Sequence, residues 1–461
     1  MMIYHLIGIG GIGMSALARV LLQRGERVQG SDASRGPLLE ELEKEGAKIR
    51  IGHHEDAIDL GMTVVYSTDI KPSNVEWAKA QRLGLPLLHR SEMLDRLIGG
   101  KKGLLVTGTH GKTTTTALLS QVLCDAKRDP SFVIGGILRS QNTNGKAGKG
   151  AYFIAEADES DGSFLKTSSF GAIATNLENE HLNYWLTERA LDQGFAQFFQ
   201  NVKNPQHLFW CRDDARLTHL KPVGISYGFS EQAKLQVRNY RQNERGIVFD
   251  LLWEGQTFPA IELALYGRHN ALNGAAVFGL SLSLQIDEET IRQSFRNFSG
   301  TKRRLEFKGE ANQISVYDDY GHHPTEIAAT IKALRDRIGK KRLCVVFQPH
   351  RYSRVRDLFD EFIACFEEAD RVILTDIYSA GEAPLEGVTT ERLAASLRQK
   401  WGEKLLYFPR GGLEEAIARQ ACPSDVILTI GAGDVTRVGE PLLRLLGVPL
   451  PGLHLLGSGK A

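Results

Sequence analysis

Paired cysteines, an excess of one charge and a long apolar run are all missing from this chain of 461 residues. Its five cysteines, Cys124, Cys211, Cys344, Cys365 and Cys422, are odd in number and never spaced as C-x-x-C. That argues against a disulfide framework and a cysteine zinc site, and fits a reducing cytosol. Lys+Arg 56 against Asp+Glu 55 leaves a formal net charge of +1, so no global field points to nucleic acid or an anionic membrane as partner. No apolar stretch approaches the roughly 18 residues of a membrane span. The opening Met2-Ile3-Tyr4-His5-Leu6-Ile7 lacks the basic region of a secretory leader. A soluble, cytoplasmic protein is expected.

Short apolar runs alternate with amphipathic helical patterns over almost the whole length, as in parallel sheets covered by helices on both faces. The fold class is read as α/β, with about three domains at this length. A polar glycine cluster at 99–103 and the run Ser299-Gly300-Thr301-Lys302-Arg303-Arg304 mark the breaks, giving domains 1–98, 99–299 and 300–461.

Gly108-Thr109-His110-Gly111-Lys112-Thr113-Thr114 follows the apolar run Leu104-Leu105-Val106 and precedes a helical stretch at 117–123. This is the strand, loop and helix of a phosphate cradle. Glycines let backbone N–H groups approach a polyphosphate, Lys112 reaches the β/γ oxygens, and Thr113 offers a hydroxyl to Mg²⁺. The loop is shorter than the general P-loop, with Val106 where that pattern has glycine. A mere Gly/Thr-rich turn leaves the Lys-Thr pair opening an apolar helix without a reason, so ATP binding and cleavage are expected.

The chain opens with a strand at 3–7, then Gly8-Ile9-Gly10-Gly11-Ile12-Gly13, a helix at 14–24, and a second strand ending in Asp32. That is a Rossmann-type turn, which NAD, FAD and nucleotide sugars all use. A nicotinamide oxidoreductase is the rival reading and predicts NAD(P)H binding at this turn.

A strand at 152–155 releases Glu156-Ala157-Asp158-Glu159-Ser160-Asp161-Gly162 at its carboxyl end, the edge where open α/β sheets place ligands. Acids so close repel one another unless a cation neutralises some of them, which favours Mg²⁺ over a solvated acidic turn. His181, after Glu178 and Glu180, is a candidate second metal ligand or a polar loop residue. Gly267-Arg268-His269-Asn270-Ala271-Leu272-Asn273 starts a helix where amide and imidazole groups can meet a base, or is an N-terminal cap. Asp318-Asp319-Tyr320-Gly321-His322-His323-Pro324 and Gln348-Pro349-His350-Arg351-Tyr352-Ser353-Arg354 each follow a strand. His322, His350, Arg351 and Arg354 would make a cationic pocket suited to carboxylates. Arg304 beside the second break bridges phosphates or is part of a basic linker.

Together these motifs resemble the Mur ligase family of peptidoglycan precursor synthesis, nearly end to end. The double histidine His322-His323-Pro324, the Pro349-His350-Arg351-Tyr352 run, and Glu156 to Asp161 with Ser163-Phe164-Leu165 are most similar to the alanine-adding member. The resemblance implies three domains: a Rossmann-like UDP-binding domain, a central P-loop ATPase domain with a parallel sheet, and a Rossmann-like C-terminal domain. It implies ATP and Mg²⁺ as cofactors and UDP-N-acetylmuramate and L-alanine as substrates, in a monomer or weak homodimer. By resemblance, Lys112 binds the β/γ phosphates, Thr113 and Glu156 hold one Mg²⁺, and His181 a second. His269, Asn270 and Asn273 face the adenine, with Arg304 and Asp319 reaching ATP. His322, His350, Arg351 and Arg354 serve the muramoyl carboxylate and the amino acid. Gly8, Gly10, Gly11, Gly13 and Asp32, with Ser67 and His89, hold the UDP-sugar. The chain departs from the family at Glu180 and Asn183, where the family usually has an aspartate before the metal-binding histidine and another acid after it.

The implied reaction turns a carboxylate into an acyl phosphate that an amine attacks, with His322 or His350 as base. Closure would make the stretches near Gly99 and Ser299 hinges. Two other readings compete: a recycling ligase that attaches a preformed tripeptide to the same UDP-sugar, and a non-catalytic UDP-sugar sensor with an ATP switch.

Overall fold

The computed structural model describes residues 2–167 and 169–447, apart from the side chains of Leu182 and Asn183. The departure expected at Asn183 therefore lies outside the described residues. The chain forms two compact units, the first ending at Lys302 and the second beginning at Arg303. The stretch at 99–103 lies inside the first unit.

The first unit contains two sheets. The smaller runs in the order Lys48–Ile51, Arg27–Asp32, Ile3–Ile7, Met62–Tyr66, Leu87–His89, all parallel. Its central strands are apolar on both faces, with Leu6, Ile7, Val64 and Val65 fully buried, as helices on either side require. The chain leaves Ile3–Ile7 through Gly8, at φ +74°, and enters the helix Ile12–Gln23, which buries Leu17, Val20 and Leu21.

The larger sheet has ten strands, centred on Lys102–Thr107 between the parallel neighbours Gly171–Ala174 and Tyr152–Glu156. The parallel sheet expected for the central domain forms its middle, and antiparallel strands are added at its edges. Leu235–Asn243, Gly246–Trp253 and Gln256–Leu263 form an antiparallel meander, and Ser131–Leu138 pairs antiparallel with Thr143–Lys146. The cause is local: only Glu254 and Gly255, at φ +50° and +80°, separate two of the meander strands. A two-residue turn with positive φ at both positions makes a hairpin, since a parallel crossover needs far more chain.

Helix Ile12–Gln23 docks the small sheet on the Ser131–Lys146 hairpin. Arg19 in that helix is 2% exposed, with Nε 2.8 Å from Glu45 and Nη1 2.5 Å from Asn144 Oδ1, and it also pairs with Glu41. A Cβ on Gly145 would lie 2.5 Å from the Ala16 carbonyl oxygen, so only glycine permits this approach.

The second unit has a six-stranded sheet in the order Glu306–Ala311, Ile314–Asp319, Val426–Ile430, Leu343–Phe347, Arg371–Leu374, Leu405–Tyr407. Only its first pair is antiparallel. In both units most candidate residues lie at or just after the carboxyl ends of parallel strands, where strand termini and loops leave room for ligands; His269, Asn270 and Asn273 instead follow the antiparallel strand Gln256–Leu263.

Candidate active site

Helix Lys112–Asp125 starts at Gly111, at φ +83°, and Gly108 before it is at φ +126°. A Cβ on Gly108 would sit 2.2 Å from Thr175 Oγ1. The loop is pinned to the next strand end: the His110 N–H donates to Asn176 Oδ1 at 2.8 Å, and the His110 carbonyl accepts from Thr175 Oγ1 at 2.6 Å and Asn176 Nδ2 at 3.0 Å. His110 Nε2 lies 3.4 Å from Glu178. Thr109 Oγ1 accepts the Glu178 N–H at 2.9 Å.

Lys112 Nζ turns into this loop. It donates to the Gly108 carbonyl at 2.5 Å and the Thr109 carbonyl at 3.2 Å, and both Glu159 oxygens lie at 3.0 Å. Thr113 Oγ1 donates to Glu156 Oε2 at 3.2 Å, while the Gly135 N–H holds the other Glu156 oxygen at 2.6 Å. Thr114 follows in the same first turn. Burial works against the Lys112 charge, but Glu159 and Asp158 outweigh it and hold the ammonium above its ordinary value. Burial likewise pushes Asp158 up, and Arg90 with Lys112 overcomes it and holds that carboxyl well below the usual range. Glu159 is pushed up by burial, which Lys112 offsets only in part. A hydroxyl and a carboxylate as hard donors, beside a charged ammonium at the N-terminus of helix Lys112–Asp125, fit a magnesium-bound polyphosphate.

His181, at φ +60°, places Nε2 at 3.8 Å from Glu159 and 3.6 Å from Glu180. It is thus joined to the Lys112 cluster through Glu159. At the start of helix Arg268–Ser283, Asn273 faces the cradle, since a Cβ on Gly111 would lie 3.1 Å from Asn273 Oδ1. Asn273 Nδ2 donates to Asn270 Oδ1 at 3.0 Å and Asn270 Nδ2 to the Tyr266 carbonyl at 2.8 Å. His269 lies in the same first turn.

On the small sheet, Asp32 Oδ2 accepts the Gly10 N–H at 2.9 Å, and the Gly11 N–H closes the turn on the Gly8 carbonyl at 3.1 Å. Gly13 lines a cavity of about 100 Å³ together with Arg90, Lys112, Gly135, Glu156 and Asp158. The first turn of helix Ile12–Gln23 and the phosphate cradle therefore open on one space. Ser67 sits in a turn where its carbonyl accepts the Ile70 N–H at 3.0 Å. His89 ends its strand and caps the helix Arg90–Ile98, with Nε2 3.1 Å from Thr68 Oγ1. Thr68 in turn donates to Asp161 at 3.0 Å.

In the second unit the four residues proposed for a cationic pocket do assemble. The His322 and His350 rings are 5.9 Å apart, His350 stacks on Tyr378 at 5.8 Å, and Arg354 Nη1 is 3.2 Å from His350 Nδ1. Arg351, at φ +69°, is 3.9 Å from Glu382. Burial, then the charges of His322, Arg354 and Arg351, push His350 down to about 3. Asp319 accepts the Leu305 and Gly321 N–H groups at 2.6 and 2.7 Å and is pushed up to about 6 by burial, against the pull of Arg304. Arg304 lies over the Tyr320 ring at 5.3 Å and 3.9 Å from Glu326.

Three family models cover the chain in series: "Mur ligase family, catalytic domain" at residues 3–102, "Mur ligase middle domain" at 106–281, and "Mur ligase, glutamate ligase domain" at 303–433. The chain belongs to the Mur ligase family. Among its relatives, a UDP-N-acetylmuramate–L-alanine ligase of Protochlamydia amoebophila is 48% identical over 96% of this chain and 98% of its own. One from Anaeromyxobacter sp. is 39% identical over 96% of this chain and 97% of its own. The crystal structure of the UDP-N-acetylmuramate–alanine ligase of Thermotoga maritima superposes with a TM-score of 0.85 at 26% identity, covering 96% of this chain and 99% of that one. A murein peptide ligase of Psychrobacter arcticus shares the fold, with a TM-score of 0.71 at 21% identity over 97% of this chain and 99% of that one.

Two contacts of this Mur ligase lay beyond the sequence reading. Arg90 Nη2 donates to Asp158 Oδ2 at 2.5 Å, and Trp185 Nε1 donates to the Glu159 carbonyl at 2.9 Å. Arg90 stands directly after the His89 strand end, which was the available signal, but its partner is 68 residues away.

Proposed function

We propose that the chain joins L-alanine to the muramoyl carboxylate of UDP-N-acetylmuramate, using ATP and forming UDP-N-acetylmuramoyl-L-alanine, ADP and phosphate in peptidoglycan precursor synthesis. The observation that carries this reading is the Lys112, Thr113 and Glu156 cradle in a chain 48% identical, over nearly all its length, to a relative of that name. The domains are read as 1–98, 99–299 and 300–461, beside family-model spans of 3–102, 106–281 and 303–433.

Lys112 and the loop Gly108 to Thr114 bind the β/γ phosphates, and Lys112 meets the charge that builds on the transferred phosphoryl. Thr113 and Glu156 would hold Mg²⁺ and His181 a second ion, which when bound would neutralise phosphate charge. His269, Asn270 and Asn273 receive the adenine side, and Arg304 with Asp319 also serves ATP. Gly8 to Gly13, Asp32, Ser67 and His89 hold the UDP-sugar. Phosphorylating the carboxylate replaces a poor leaving group with phosphate, and Arg351 and Arg354 steady the carboxyl and amino-acid carboxylates by paired N–H donors.

The attacking amine must shed a proton. His350, pushed down to about 3, is too weak a base, so this role goes to His322. Its Nδ1 lies 3.2 Å from the Tyr320 carbonyl and 3.5 Å from Glu326 Oε2, which orient the ring. The reaction is read as cytoplasmic and the protein as a monomer or weak homodimer; among the described residues no helix is long and apolar enough to cross a membrane. Side-by-side assays with L-alanine and with a preformed murein tripeptide test the reading. Turnover with alanine supports it, and turnover with the tripeptide alone replaces it with the recycling reaction.

A further inference from the structure

Inside the small sheet, where apolar packing is the rule, five polar side chains meet away from the cleft. Glu76, in the first turn of helix Val75–Arg82, is fully buried. Its Oε2 accepts from Ser31 Oγ at 2.5 Å and lies 3.0 Å from Nε2 of the equally buried His5. Its Oε1 accepts the His54 N–H at 3.0 Å. Gln29 Nε2 lies 3.1 Å from His5 Nδ1, and His53 Nδ1 lies 2.9 Å from Ser31 Oγ. Burial pushes Glu76 up, yet His5, Ser31 and the His54 N–H prevail and hold it below its ordinary value.

A buried charge cluster adds little net stability over apolar packing of the same volume, so its use lies in fixing one arrangement. Here the donors come from strand Ile3–Ile7, strand Arg27–Asp32 and the turn after Lys48–Ile51. Ser31 immediately precedes Asp32, whose side chain caps the Gly10 N–H at 2.9 Å and whose carbonyl accepts the Gly52 N–H at 2.8 Å. Side chains alternate across a strand, so pinning Ser31 on one face fixes the angle at which Asp32 leaves the other. Nothing beneath gives way, since a Cβ on Gly30 would already lie 2.5 Å from the Leu6 carbonyl oxygen.

We propose that Glu76 is a positioning residue for the UDP-sugar, holding Ser31 and the His53-His54 turn so that Asp32 keeps the glycine turn in its binding shape. It does so without touching substrate, and the inference rests on the reading that this turn receives the UDP-sugar. Glu76→Gln keeps the size and removes the charge that gathers the donors, while Ser31→Ala removes one donor and leaves the charge paired. Each variant is titrated calorimetrically with UDP-N-acetylmuramate and, separately, with a non-hydrolysable ATP analogue. Glu76→Gln should weaken UDP-sugar binding about tenfold and Ser31→Ala about threefold, with ATP-analogue affinity within about twofold of wild type. Unchanged UDP-sugar affinity, or equal weakening of both ligands as a general loss of structure would give, overturns the proposal. If Glu76→Gln does not fold, Ser31→Ala decides by the same two outcomes. The titrations need no turnover, so a wild-type protein that binds the UDP-sugar but fails to ligate alanine overturns the proposed reaction and still tests Glu76.

Discussion

Truncating Lys112 to alanine removes the ammonium at the centre of the cradle and strands a buried acid. Both Glu159 oxygens are 3.0 Å from Nζ, and the Glu159 side chain is 2% exposed. A buried carboxylate that loses its partner costs about 3 to 5 kcal/mol if it stays charged. Glu159 has an exit, because it is already pushed up by burial and can take up a proton. For a group with an ordinary value of 4.5, protonation at pH 7 costs about 3.4 kcal/mol, which caps the loss. The sign follows: in the variant the folded state holds a proton that the unfolded state releases above pH 4.5, so the destabilisation grows as pH rises and is small near pH 5. Urea denaturation at pH 5 and 7 should show that trend, and adding Glu159→Gln should remove most of it. Alanine-dependent ADP release should fall about a thousandfold or more in both variants, with UDP-sugar binding largely intact. Turnover within tenfold of wild type, or turnover regained when Glu159→Gln is added, would refute the role given to Lys112.

Gly108→Ala forces a side chain at φ +126° to within 2.2 Å of Thr175 Oγ1. It should lose ATP-analogue binding and cost about 2 kcal/mol or more in urea unfolding, and a neutral effect on both would contradict the cradle geometry. Thr113→Val deletes the hydroxyl that lies 3.2 Å from Glu156. It should raise the Mg²⁺ concentration needed for half-maximal turnover at least about tenfold, and an unchanged Mg²⁺ curve would remove Thr113 from the metal site. His350, pushed from 6.5 down to about 3, should stay neutral in histidine NMR titrations down to pH 5. The stability it contributes is complete above about pH 6.5 and is lost as pH falls toward 3; a midpoint near 6 would show that the pocket is open to water.

Legibility from sequence followed sequence distance. The phosphate loop, the acids after Tyr152–Glu156 and the two histidine-arginine runs are local motifs at strand ends, so composition and order sufficed to pick them out. What joins them was hidden, because Lys112 meets Glu159 across 47 residues and Arg90 meets Asp158 across 68. Edge strands were also hidden. Glu306–Ala311 reads Glu-Phe-Lys-Gly-Glu-Ala, and its half-exposed pattern gives little alternation to detect. Residues 99–103 lie within one compact unit, and the contacts of Arg19 and of the bare Cα of Gly145 that bring helix Ile12–Gln23 onto the Ser131–Lys146 hairpin are silent in a sequence window. The Glu76 cluster was illegible for another reason: an acid at the start of a helix reads as ordinary first-turn chemistry until the fold brings His5 and Ser31 to it.

In the proposed reaction ATP activates the muramoyl carboxylate before the amine attacks it. UDP-N-acetylmuramate labelled with ¹⁸O in its carboxyl group, turned over with ATP and L-alanine, tests this by mass analysis of the phosphate released. Transfer of one carboxyl oxygen to phosphate for each UDP-N-acetylmuramoyl-L-alanine formed is the predicted result. Unlabelled phosphate alongside the ligated product would contradict it.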